Sequence, residues 1–129
     1  MIAAVGTVDG VVLVDAESEL VLGPGTELPE VAPPPVELPR VVATAGSGST
    51  VVALLDRRPP LALSNDGGRT WREAGGGLPP GFAVAVAEDD PDRMLYAARN
   101  RLYLSTNGGV FWRSLEPELP DVVAVAWLD

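Results

Sequence analysis

The sequence predicts an all-β fold built from a repeated four-stranded unit, and three observations carry that prediction. Short apolar runs such as Val41-Val42-Ala43-Thr44-Ala45, Phe82 to Ala87 and Val122 to Trp127 are broken by proline and glycine, the pattern of many short strands rather than of helices. Ser64-Asn65-Asp66-Gly67-Gly68-Arg69-Thr70-Trp71 returns 41 residues later as Ser105-Thr106-Asn107-Gly108-Gly109-Val110-Phe111-Trp112. A period of about 40–45 residues is that of one β-propeller blade. A second marker keeps the same step: Leu38-Pro39, Leu78-Pro79 and Leu119-Pro120 each stand just before a strand segment.

The elements follow in order, with the strands of each blade labelled a to d from the axis outward. Residues 1–22 supply strands b to d of a split blade, at 2–7, 11–14 and 19–22. Residues 23–40, including Pro33-Pro34-Pro35, form a proline-rich connector expected to be extended. Residues 41–74 make one full blade with strands at 41–46, 50–55, 60–64 and 69–74. Residues 82–115 make a second, with strands at 82–88, 93–98, 101–105 and 110–115. Residues 121–129 then return the a-strand of the split blade, Val122 to Leu128. The three a-strands share two alanine columns, Ala43/Ala83/Ala124 and Ala45/Ala85/Ala126, as expected where neighbouring blades crowd an axis. In the split blade Asp15 is expected to stand where Ser64 and Ser105 stand, and Leu22 where the tryptophans stand.

The repeated octapeptide has a physical reason. Its glycines (Gly67, Gly68, Gly108, Gly109) allow the positive φ of a tight c–d turn. Ser64, Asp66, Thr70, Ser105 and Asn107 have short polar side chains that bond nearby backbone groups. Trp71 and Trp112 are expected to pack on their blades, so that truncation to alanine costs about 3–5 kcal/mol. Ser-x-Asp-Gly-Gly-x-Thr-Trp resembles the Asp-box, or BNR repeat, and the run from Ala85 to Tyr96 with Leu102-Tyr103-Leu104-Ser105 is similar to the same family. The resemblance covers 41–129 well and 1–22 weakly. It implies propeller blades of the sialidase-like or photosystem II stability factor-like kind, with the motif residues structural and the motif turns on the face away from the ligand. A sialidase's arginine triad and tyrosine–glutamate pair find no set of positions here, so the resemblance implies a non-catalytic propeller.

Composition narrows the chemistry. The 129 residues carry no cysteine, which excludes disulfides and thiolate metal sites, and no histidine, the commonest general base. The net charge of −9 repels nucleic acid and anionic lipid. No apolar run reaches the roughly 18 residues of a membrane span, and Met1-Ile2-Ala3-Ala4-Val5 has no basic n-region. A cytoplasmic location without membrane or nucleic-acid partners is the expectation. No cofactor and no metal is expected: Glu88, Asp89, Asp90 and Asp92 lack the spacing of a calcium loop and read as a solvated turn.

Three blades are too few for a ring of four to eight. The sequence therefore predicts a homodimer of six blades, the closing strands exchanged between copies. The function expected is a binding or scaffold module for a protein or glycan ligand. Arg57, Arg58, Arg99 and Arg101, in the b–c turns, are the candidate ligand contacts. The alternatives are a small glycan-acting hydrolase with a site shared between subunits, and a piece of a longer propeller.

Overall fold

The computed structural model describes residues 1–129 and contains no helix. Twelve strands form three four-stranded antiparallel sheets, consistent with a blade-like β fold. The first sheet runs β4 (Val41–Ser47), β5 (Thr50–Leu55), β6 (Leu61–Ser64), β7 (Arg72–Ala74). The second runs β8 (Ala83–Val86), β9 (Met94–Ala97), β10 (Leu102–Ser105), β11 (Arg113–Ser114). The third, here the split sheet, joins both ends of the sequence: β12 (Val122–Trp127) pairs with β1 (Ile2–Thr7), followed by β2 (Gly10–Asp15) and β3 (Leu20–Pro24).

The β12–β1 ladder runs from Ala3 opposite Trp127 to Thr7 opposite Val122, with one bulge between Gly6 and Thr7. Its end is tied by Asp129, whose carboxylate accepts from the Ile2 N–H at 3.0 Å and lies 3.3 Å from the Met1 ammonium. The outermost strands β7 and β11 begin later than the apolar pattern suggests, at Arg72 and Arg113. The reason is local: Asp66 and Asn107 accept N–H groups of residues 69–70 and 111, holding them in the turn instead of the ladder.

The second sheet is the filling of a sandwich. One of its faces, with Met94 and Tyr96, packs on Val52, Leu54, Leu61 and Leu63 of the first sheet. The other, with Leu95, Leu102 and Leu104, packs on Val5 and Val14 of the split sheet. Most of these side chains are fully buried, and each leucine or valine so buried contributes about 1.5–3 kcal/mol. Innermost, β8 lies beside both β4 and β12, which do not touch each other. The three sheets therefore form an arc with one open side. Ala43 and Ala45 join the interface of the first and second sheets, while Ala83 and Ala85 join that of the second and split sheets.

Residues 25–40 close the open side. They form no strand, but Pro34, Val36 and Leu38 are half-buried while Pro33, Pro35, Glu37 and Pro39 are exposed, the alternation of an extended chain lying on a surface. A third, smaller cluster forms there, with Val36, Leu38 and Trp71 against Ala53, Leu55 and Ala62.

Candidate functional site

The repeated turns have nearly the same internal wiring. Ser64 Oγ accepts the Gly68 N–H at 2.8 Å, and Ser105 Oγ accepts the Gly109 N–H at 2.9 Å. Each serine hydroxyl donates to the acid or amide two residues on, Asp66 at 2.7 Å and Asn107 at 3.0 Å. Positive φ occurs at Gly67, Gly68, Gly108 and Gly109. Asp66 also receives the Thr70 hydroxyl at 2.6 Å and the Thr70 N–H at 2.9 Å. The Thr70 hydroxyl, then the Thr70 N–H and the Ser64 hydroxyl, hold its carboxyl far below the usual carboxylate range. Four hydrogen bonds from its own turn, those of the Ser64 hydroxyl, the Arg69 and Thr70 N–H groups and the Thr70 hydroxyl, engage that carboxylate locally.

The split sheet differs in phase. Val14 pairs with Ala3 and faces the second sheet, the side on which Ser105 of the second sheet faces the first. Asp15 is thus one residue out of step with Ser64. It still organises a turn, accepting the Glu17 N–H at 3.0 Å, and Glu19 holds the positive φ of 59° that glycine holds elsewhere. Burial acts upward on the Asp15 carboxyl, but bonds from Glu17 and Ser18 and the N-terminal charge bring it below its usual value.

The main concavity lies on the axis of the arc, a cavity of about 840 Å³ lined by β4, β8, β12 and the connector from Leu28 to Pro33. Its walls mix polar residues with small apolar ones, among them Ala45, Ala85, Ala124 and Ala126. It opens where the three innermost strands end, at Ser47-Gly48, Glu88-Asp89 and Leu128-Asp129. The c–d turns lie at this end too: the Gly67 N–H donates to Ser49 O and the Gly108 N–H to Asp92 O. Every charged residue lining the cavity is acidic: Glu30, Glu88, Asp89 and Asp129. Asp129 is already engaged. Burial acts upward on its carboxyl, but the Ile2 N–H, the N-terminal ammonium and Arg93 outweigh it and hold it low. The Arg93 guanidinium lies 4.5 Å from the Trp127 ring centroid, donates to the Asp129 carbonyl and leaves its Nε buried without a partner.

The four arginines read as ligand contacts lie at the opposite end, in the β5–β6 and β9–β10 turns. Arg57 and Arg58 border a smaller depression of about 210 Å³ with Val42, Leu55 and Gly81. Three of the four are engaged with acids of their own sheet or of the linker that follows it. Arg57 pairs with Glu73, Arg99 with Asp121 at 3.2 Å and Arg101 with Glu118 at 3.1 Å. Each ties an outer strand or the following linker back to its turn. Arg58 makes no ion pair. The structure therefore separates the arginines from the principal cavity.

Two features escaped the sequence pattern. The connector is a wall of the cavity as well as a spacer, and the alternation of Pro34, Val36 and Leu38 is the signal that marks it. Arg72 and Arg113, each next to a motif tryptophan, reach across to the adjacent sheet, donating to Gly108 O at 3.2 Å and to Ala16 O at 3.3 Å. No group of three or more acidic side chains is placed to hold a metal ion. Comparison with protein-family models finds no match to this chain, and comparison with curated proteins likewise finds none.

Proposed function

We propose that the chain is a non-catalytic binding and scaffold module, a propeller of Asp-box blades completed as a six-bladed ring of two chains. The observation that supports this reading is the pairing of β12 with β1. The last strand of the sequence supplies the innermost strand of the sheet that the first residues begin. Such a strand docks equally well on the β1 of a second copy, with residues 115–121 as the hinge. Two arcs joined in this way put every outer face against another sheet and close the ring. The ligand is a protein or glycan held at an end of the axis. Arg57, Arg58, Arg99 and Arg101, doubled by the symmetry of the ring, are the contacts for anionic groups.

Light scattering at micromolar concentration tests the assembly. Two chains of 13.4 kDa are expected together, and a single one-chain species would overturn the ring. Ligand capture is tested with a glycan array carrying sulfated and sialylated sugars. Binding that is lost in the quadruple Arg→Ala variant supports the arginine end, and binding that persists moves the site to the cavity.

One observation favours the hydrolase alternative: Glu30, Glu88 and Asp89 stand at the cavity rim. Two carboxylates flanking a glycosidic bond are the requirement for such chemistry. Turnover of aryl glycosides that disappears in Glu88→Gln or Asp89→Asn would replace the binding reading.

A further inference from the structure

We infer that residues 25–38 and a second copy of the chain compete for the same two sheet faces, and that the length of this segment decides between them. The inference deepens the ring reading and rests on it for the identity of the second occupant. The split sheet turns one face away from the second sheet, and the connector lies on it. A Cβ on Gly6 would come within 2.6 Å of the Leu28 side chain, and one on Gly25 within 2.9 Å of Val11. The first sheet also turns one face outward, and Val36 and Leu38 lie on that face against Ala53 and Leu55. The Thr44 hydroxyl fastens the strap between these points, donating to Pro34 O at 3.1 Å.

These two outer faces are of the kind that pack directly on each other elsewhere in the molecule. The inner face of the first sheet meets the second sheet, and the far face of the second sheet meets the split sheet, with no chain between them. In an exchanged ring the outer face of a split sheet meets the outer face of a first sheet in the same sense. The strap then has to leave.

Linker lengths point the same way. Eight residues (75–82) join the first sheet to the second, and seven (115–121) join the second to the split sheet. Sixteen (25–40) join the split sheet to the first. Extended chain advances at most about 3.3–3.6 Å per residue, so the longer linker has about twice the reach. Neighbouring sheets need only the short length. The extra residues are needed only when one chain must cross its own open side. In the exchanged ring the split sheet and the first sheet of one chain are neighbours, and a short linker suffices.

Deleting residues 27–34 tests the inference in the full chain by size-exclusion chromatography with light scattering. The shortened chain is expected to run entirely as two-chain particles, with no one-chain species after tenfold dilution. A second variant keeps the length and loosens the strap: Val36→Ser with Leu38→Ser is expected to raise the dimer-to-monomer ratio at least fivefold. A shortened chain that stays a folded monomer overturns the inference, even if the native chain is a dimer. So does a loosened strap that leaves the ratio unchanged or lowers it, and this decides the matter if the deletion fails to fold. A native chain that is monomeric beside a dimeric deletion variant would instead sink the native ring and leave the competition standing.

Discussion

The turns at 64–71 and 105–112 share their sequence motif and much of their hydrogen bonding, yet they sit in different surroundings. The 105–112 turn is wedged against the first sheet. The Trp112 ring packs edge-on to Tyr96 with centroids 6.0 Å apart, its indole N–H donates to Gly109 O at 3.0 Å, and Gly109 lies against Leu63. The 64–71 turn lies at the open side of the arc. Trp71 packs on the small cluster of Ala53, Leu55 and Ala62 of its own sheet, where the strap residues Val36 and Leu38 also pack, and a Cβ on Gly68 would meet only Trp71. The motif therefore encodes the turn, and the neighbouring sheet decides how much stability the turn contributes. Both rings are half-buried, so the larger cost is expected at Trp112, where a second sheet supplies contacts.

The largest effect that would sharpen this contrast is Trp112→Ala, expected to cost about 3 kcal/mol in urea unfolding. A loss below about 1 kcal/mol would erase the distinction. Gly109→Ala comes next, at about 2 kcal/mol. Its φ of 85° disfavours any side chain, and a Cβ there would stand 2.7 Å from Leu63. Trp71→Ala is expected to cost about 1–2 kcal/mol, because the ring packs on the small cluster of its own sheet and not on a second sheet. Gly68→Ala carries the backbone penalty of about 1 kcal/mol alone, since the nearest atom to its Cβ is Trp71 at an ordinary 3.5 Å. Equal costs at Gly68 and Gly109 would show that the adjacent sheet contributes nothing.

The smallest effect is in pH. Asp66 has a depressed carboxyl in the folded state, so its contribution is complete above the unfolded value near pH 4 and is lost as pH falls towards the folded value. Its counterpart Asn107 does not titrate. The urea midpoint of the native chain is expected to drop between pH 5 and pH 3 by more than that of Asp66→Asn. Identical pH profiles would remove Asp66 as the source.

Much of the fold was legible because short strands and turns leave local marks. Apolar runs, the 41-residue return of Ser-x-Asp/Asn-Gly-Gly and the Leu-Pro step indicate three four-stranded groupings, and strand patterns at 2–7 and 122–127 mark the two ends as parts of one sheet. What was not legible depends on contacts between sheets. Asp15 looks like Ser64 by alignment, yet a one-residue difference in phase turns it to the other face, because side-chain direction alternates along a strand. The arginines looked like a free basic group, but Glu73, Glu118 and Asp121, distant in sequence, claim three of them. The connector looked like a spacer because proline gives no hint of which surface it lies on.

Arg72 and Arg113 give the arc a direction. Each donates forward, from an outer strand to the carbonyl of the next sheet's turn, and β3, Leu-Val-Leu-Gly-Pro, carries no such donor. The molecule thus has a head and a tail that differ chemically, so like ends have no reason to join. In the ring proposed above, contacts through these faces run tail to head, and units joined that way either close on themselves or go on adding. If copies join as proposed, any change that tilts the joint away from closure would yield open-ended fibres rather than larger compact particles.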